Sequence, residues 1–279
     1  MVKKFFRFVF DVIHGSRKDD IGAYSAQSAF FMTISFIPLI MLFISVLKFL
    51  PVSEDVFLSG VVYVFPGETK ELVISFIKES FNKSGAAVIS ITAVSTLWAA
   101  SIGVFSLVKG INNVFAANET RNYIAVRIMS MFYTLIFLVI LVLCLLIFVF
   151  GNTVTGMIEK NLSPGLGVAA LIMSGRLIVG TVVLALIFLL MYCVVPNRKA
   201  SILSQIPGSV TASLGWIGFS YVFSYYYENI ANYSYLYGSL SVLVFFMLWL
   251  FICIYILFIG AEINKCIEKR IEYNLFMKK

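Results

Sequence analysis

Histidine occurs once in this chain, at His14, and the four cysteines (Cys144, Cys193, Cys253, Cys266) show no paired spacing. A metal-dependent hydrolase gathers several His, Asp or Glu ligands around a catalytic water, and cysteine metal or redox motifs use close pairs. No such pattern occurs, and neither HExxH, a glycine-rich phosphate loop nor a nucleophile elbow is present. The sequence therefore predicts no enzyme chemistry, no metal and no cofactor. His14 reads as a polar-face residue, and the cysteines read as free thiols, three of them within apolar runs. Charge is equally scarce. Only 13% of residues are charged, against about a quarter in soluble domains. With 61% apolar residues and a mean hydropathy of +0.97, the chain is that of a membrane protein.

What is abundant is organised around the last third. Seven of the fourteen tyrosines fall between Tyr221 and Tyr237, and the run Leu240–Ile259 that follows is broken only by Ser241. Some twenty apolar residues at helical rise match a hydrocarbon thickness of about 30 Å. Tyrosines clustered just before them suit the membrane–water boundary, where the ring sits in lipid and the hydroxyl reaches water.

Further runs predict six spans: Ala29–Leu50, Ala86–Val108, Ile128–Phe150, one within Val168–Val195, one within Pro207–Tyr227 and one within Ser239–Glu262. Residues 1–14 place Lys3, Lys4, Arg7, Asp11 and His14 between apolar positions, predicting an amphipathic helix along the membrane surface. Glu68–Phe81 predicts a second short amphipathic helix outside the bilayer. The segments 1–28, 109–127, 196–204 and 263–279 together hold fifteen Lys/Arg, and the intervening segments on the other side hold four. That asymmetry places both termini in the cytoplasm. The net charge of +7 is then explained by orientation and anionic lipid headgroups, without nucleic acid. The chain reads as one all-α membrane domain: a cytoplasmic arm 1–28, a bundle 29–262 and a basic tail 263–279.

Small residues recur at helical spacing on two spans: Thr92, Ser95, Ala99, Gly103 and Ser106, then Gly208, Thr211, Ala212, Gly215 and Gly218. Such stripes let helix backbones approach closely, and the reading is packing rather than a pore lining. Polar groups near or within lipid are the candidate site residues. On the outer side stand Arg176, preceding a nineteen-residue uncharged run, and Glu228, with Asn229, Asn232 and Tyr237 beside it. Arg176 either pairs with Glu228 or snorkels to outer headgroups. On the inner side stand Gln27, Asn112, Glu262 and Asn264. Glu262 lies near a helix C-terminus, unfavourable for an anion, so a cationic partner is expected from Arg127, Arg198 or Lys265.

The chain resembles the YihY/BrkB family of bacterial inner-membrane proteins, some once labelled ribonuclease BN. The residues that carry this are Ser28–Phe31 with Ser35–Pro38, Leu97–Ser101 through Asn112-Asn113, Arg176, Val195–Arg198 and Pro207-Gly208. Tyr233 through Tyr237–Leu240, Leu248–Leu250 and Gly260–Asn264 complete them. Phe31 stands where the family more usually has tyrosine. The resemblance implies six helices in a bacterial cytoplasmic membrane. It suggests a lipid-handling role in the envelope, with a non-transporting scaffold for envelope assembly as the alternative. Membrane lipids are the expected partners, with a homo-oligomer or envelope protein as a further class.

Overall fold

The computed structural model describes residues 2–47, 86–140, 168–198, 200–229 and 239–276. Seven helices and no strand occur among them: α1 Val2–Lys18, α2 Ile21–Leu47, α3 Ala86–Val114, α4 Tyr123–Ile140, α5 Val168–Val194, α6 Ile202–Asn229 and α7 Ser239–Phe276. The amphipathic helix expected over Glu68–Phe81 lies outside the described residues.

Among the described residues four stretches are long and apolar enough to cross a membrane: Ile21–Ile40, Val94–Val114, Tyr123–Ile140 and Leu243–Ile271. The apolar part of α5, Gly180–Val194, is shorter. Helix α6 has the length of a span but not the hydropathy, because Ser204, Gln205, Ser209, Thr211, Ser213, Ser220 and Ser224 dilute its apolar residues. The described spans start and stop at residues other than those expected. Helix α2 begins eight residues before Ala29, since Ile21–Ser28 contains no helix breaker beyond Gly22. Helix α7 runs well past Glu262 to Phe276, so most of the basic tail is helical.

Local chemistry sets the helix ends. Asp20, at φ 48°, takes the left-handed conformation that Asp tolerates better than most residues, and its carbonyl accepts the first α2 bond from Tyr24 at 3.1 Å. Arg17 and Lys18 close α1, where cations suit the helix dipole. Helix α3 ends in a six-to-one bond from Ala117 N–H to the Asn112 carbonyl and a bond from Ala116 N–H to Asn113, both 2.9 Å. Ala116 supplies the left-handed residue (φ 50°), a place usually given to glycine. Asn122 caps α4 by accepting from the Ala125 N–H at 2.8 Å.

The chain divides into two compact units: Met1–Thr33 with Gly103–Val126 and Met173–Lys279, and Ile34–Ile102 with Arg127–Ile172. In the first unit, α6 and α7 form the most extensive helix pair. A Cβ on Gly208 would overlap the Gly260 carbonyl oxygen, and one on Gly260 would lie 2.7 Å from the Gly208 oxygen and 2.8 Å from Ala212 Cβ. One turn further along, Gly215 faces a methyl of Ile256 at 2.9 Å. Gly208, Ala212 and Gly215 are thus contact residues. Thr211 is exposed, and Gly218 meets nothing within 4 Å. Helices α2 and α3 approach by the same device: a Cβ on Gly103 would lie 2.9 Å from Met32 Cα, and the Ser28 and Ser106 hydroxyls are 3.1 Å apart. Buried Ile21, Ala29, Ile111, Val114, Tyr192, Phe258 and Ala261 form the core here.

In the second unit, Ser35 Oγ donates to the Ala99 carbonyl at 3.2 Å. Arg127 is buried, donates to the Trp98 carbonyl at 2.6 Å and lies over the Trp98 ring.

Candidate functional site

Helix α1 runs alongside the C-terminal part of α7 in the opposite sense. Arg270 of α7 bonds Asp11 at 2.9 Å and lies over Phe8, while Gly15, further along α1, faces Glu262, eight residues earlier on α7. A Cβ at position 15 would overlap the Glu262 carboxylate, so glycine is required by the close approach. This pairing refines the arm expected to lie on the membrane surface: one of its faces is fixed to α7.

Where α1 turns into α2, Asp19 pairs with Lys265, whose ammonium also reaches Glu262 at 3.2 Å. Glu262 is only 2% exposed. Cys266 Sγ donates to its other oxygen at 3.7 Å. Of the three cations expected to serve Glu262, Lys265 does so. Arg127 is engaged with Trp98, and Arg198 pairs instead with Glu268.

The α3 end joins the same layer. Asn113 donates to the Asp19 carbonyl at 2.6 Å. Asn112 donates to Glu119 at 2.8 Å and accepts from the Asn197 N–H at 2.9 Å. Asn197 in turn donates to the Asn118 carbonyl and the Thr120 hydroxyl, each at 3.0 Å. The Arg121 guanidinium beside Glu119 holds that carboxyl below the usual carboxylate range. The Val195–Arg198 turn between α5 and α6 is thereby tied to the turn between α3 and α4.

Arg198 lies 3.9 Å above the Phe115 ring and bonds Glu268, whose other oxygen accepts from Ser204 at 2.9 Å and Gln205 at 2.6 Å. Pro207 has no N–H, and its ring crowds the carbonyl four residues back, weakening the α6 ladder at that point. Asn264 of α7 bonds the α6 backbone on either side of Pro207. Its Oδ1 accepts from Gly208 N–H at 2.7 Å, and its Nδ2 donates to the Gln205 carbonyl at 3.0 Å. Tyr192 of α5 closes the α7 side by donating to the Leu257 carbonyl at 2.7 Å.

Asn112, Glu262 and Asn264 therefore sit in one hydrogen-bonded layer. Gln27 is exposed on α2. Arg176, Glu228 and Asn229 have helical backbone, in α5 and α6, but their side chains lie outside the described residues, as do Asn232 and Tyr237 altogether. Sequence reasoning missed Asp19, Gln205 and Glu268 as site members. The signal for Glu268 was available: Glu262, Lys265 and Glu268 are three apart with no breaker between them, so the helix had to continue.

The family model described as "Virulence factor BrkB" matches residues 12–277. The chain belongs to the BrkB family. The ribonuclease-like protein YfkH of Bacillus subtilis (strain 168) is 31% identical over 250 residues, 88% of this BrkB-family chain and 90% of YfkH. A UPF0761 membrane protein of Histophilus somni (strain 2336) is 21% identical, with 94% of this chain and 90% of that protein aligned. Another, from Alteromonas mediterranea, is 23% identical, with 88% and 82% aligned. No solved structure matches. Family and apolar helices together make this BrkB-family chain a membrane protein.

Proposed function

We propose that this BrkB-family chain crosses the bacterial cytoplasmic membrane six times, with both termini in the cytoplasm, and handles an amphipathic envelope lipid. The observation that carries the reading is a hydrogen-bonded polar layer built from α1, α3, α6 and α7 in a chain that is otherwise 61% apolar. Polar groups are retained at membrane depth where they serve a pathway or a specific helix contact. The fifteen-to-four split of Lys/Arg supports the orientation. No phosphate loop for a nucleotide is present in the sequence, so work on a lipid would draw on a gradient or a partner.

The scaffold reading is favoured by one specific observation: the polar layer closes on itself through ion pairs, as a fixed structural joint would. The nuclease name of YfkH has little to attach to in this sequence, which carries one histidine and no HExxH or CxxC spacing.

Purified protein in liposomes with a fluorescent phospholipid-translocation readout separates the two readings. Lipid movement above that of empty liposomes, reduced by Asn264→Ala in a variant that still folds, supports handling. Movement equal to empty liposomes refutes it and leaves the scaffold. Orientation is tested by cysteines at the exposed Lys18, at Ser163 and at Lys278: an impermeant thiol reagent on intact cells should label only position 163. The Arg176–Glu228 pair predicts that Arg176→Ala and Glu228→Ala together harm stability less than their sum; strict additivity removes it.

A further inference from the structure

Helix α1 has two faces of opposite character. Asp11, Val12, Gly15 and Ser16 turn toward α7 or are buried, while Val9, Phe10 and Ile13 form an exposed apolar stripe, with Phe10 68% exposed. The three residues are spaced as neighbours on one helix face. His14 stacks on Phe10 at 6.2 Å within that exposed side.

The charges are sorted in the same way. Both Asp11 and Asp19 are engaged by cations of α7, Arg270 and Lys265. Arg7, Arg17 and Lys18 are exposed, and none of the three has an acidic partner among the described residues. Asp20 is the only outward acid in this segment. The outer surface of α1 is therefore an apolar stripe edged with net positive charge.

The rest of this unit places that surface at a definite level. Asp11 sits beside Arg270, one residue before the end of the apolar stretch Leu243–Ile271, and Ile271 itself is 48% exposed. Twenty-nine residues at helical rise span about 43 Å, the thickness of a bilayer including its headgroup layers. At the level of Glu268, α6 exposes Ile202, Leu203 and Ile206 beside Ser204 and Gln205. Apolar side chains thus face outward around the polar layer, at the depth where headgroups meet acyl chains.

We infer that the Val9–Phe10–Ile13 face of α1 docks into the anionic headgroup region of the membrane leaflet on its own side, with Arg7, Arg17 and Lys18 binding lipid phosphates. Apolar insertion and basic edges together are what an interfacial helix needs, and each basic group adds to the attraction toward an anionic surface. The inference goes beyond lipid handling and stands whether or not the protein moves a lipid.

The test uses the full chain, native cysteines replaced, in nanodiscs of phosphatidylcholine and phosphatidylglycerol. A bimane is attached at Phe10→Cys, at Ile13→Cys or, as reference, at Arg17→Cys. Labels at 10 and 13 should be quenched by brominated lipid and shielded from iodide, and the label at 17, at phosphate level, should be quenched less by brominated lipid and reached more by iodide. Brominated phosphatidylglycerol should quench position 10 on the order of two- to fivefold more than brominated phosphatidylcholine, and Lys18→Gln with Arg7→Gln should reduce that preference. Iodide access at 10 and 13 equal to that at 17 would place the face in water. Exclusion of both quenchers would mean that protein, such as a second copy, covers it. Equal quenching by the two lipids would remove the anionic partner. Each of these three results overturns the inference.

Discussion

Replacing Gly208 by alanine tests the α6–α7 joint most directly. The added methyl would overlap the Gly260 carbonyl oxygen and lie 2.5 Å from both Cγ and Oδ1 of Asn264, where 3.4 Å or more is an ordinary contact. The obstacles are a backbone oxygen and a fully buried carboxamide, so no rotamer change relieves the clash. The helices must part by roughly an ångström, which costs about 1–3 kcal/mol as overpacking. The same shift stretches the 2.7 Å bond from Gly208 N–H to Asn264, worth about another 1 kcal/mol. Gly208→Ala should therefore destabilise by about 2–4 kcal/mol. Gly215→Ala meets only a side-chain methyl at 2.9 Å and should cost less than about 1.5 kcal/mol. Gly218→Ala meets nothing and should be neutral or stabilising by up to about 1 kcal/mol. Reversible unfolding in mixed detergent micelles, followed by circular dichroism, reads the series. A Gly208→Ala variant as stable as Gly218→Ala would refute the close crossing from which the order is derived.

Ala116→Gly should stabilise the α3 end by about 1 kcal/mol, because glycine adopts the left-handed conformation without Cβ strain; an unchanged unfolding midpoint would count against that strain. Lys265→Ala leaves Asp19 and Glu262 facing each other without a cation and should destabilise by about 3–5 kcal/mol, with faster hydrogen exchange in α1; exchange in α1 equal to that of the unmodified protein would show that the arm is held otherwise. The Glu119 carboxyl is depressed when folded, so its contribution is present above the unfolded value near 4.5 and is lost as pH falls through the folded value. Protection of the turn 115–122, corrected for intrinsic exchange, should hold at neutral pH and fall below about pH 4.5, and Glu119→Gln should abolish that dependence.

Composition and periodicity were enough to reveal an all-helical membrane protein, because several uncharged runs of span length in one chain are stable only in a bilayer. The small residues Ala99, Gly103, Ser106, Gly208, Ala212 and Gly215 were legible as contact positions because close backbone approach admits few other side chains. Thr211 and Gly218 fit the same spacing yet lie off the contact, since a small-residue stripe is wider than the line along which two helices touch. The partners within the polar layer were less legible. Asp19 and Lys265 are 246 residues apart in sequence, and nothing local links a turn aspartate to a lysine near the far end. Asn264 was visible as a polar residue near lipid, but not as a partner of the α6 backbone beside Pro207. That role depends on how α6 and α7 cross, which no local pattern encodes.

The Asn264 clamp bears on the order of biogenesis. Helix α6 leaves the ribosome before α7, and until Asn264 is synthesised the Gly208 N–H and Gln205 carbonyl lack the carboxamide that bonds them in the finished protein. Polar groups without their partners are expensive in hydrocarbon, and α6 is already the less apolar of the two helices. Helix α6 is thus poorly suited to entering lipid alone. It should be retained at the translocon until α7 arrives, and the two should pass into the bilayer as a hairpin.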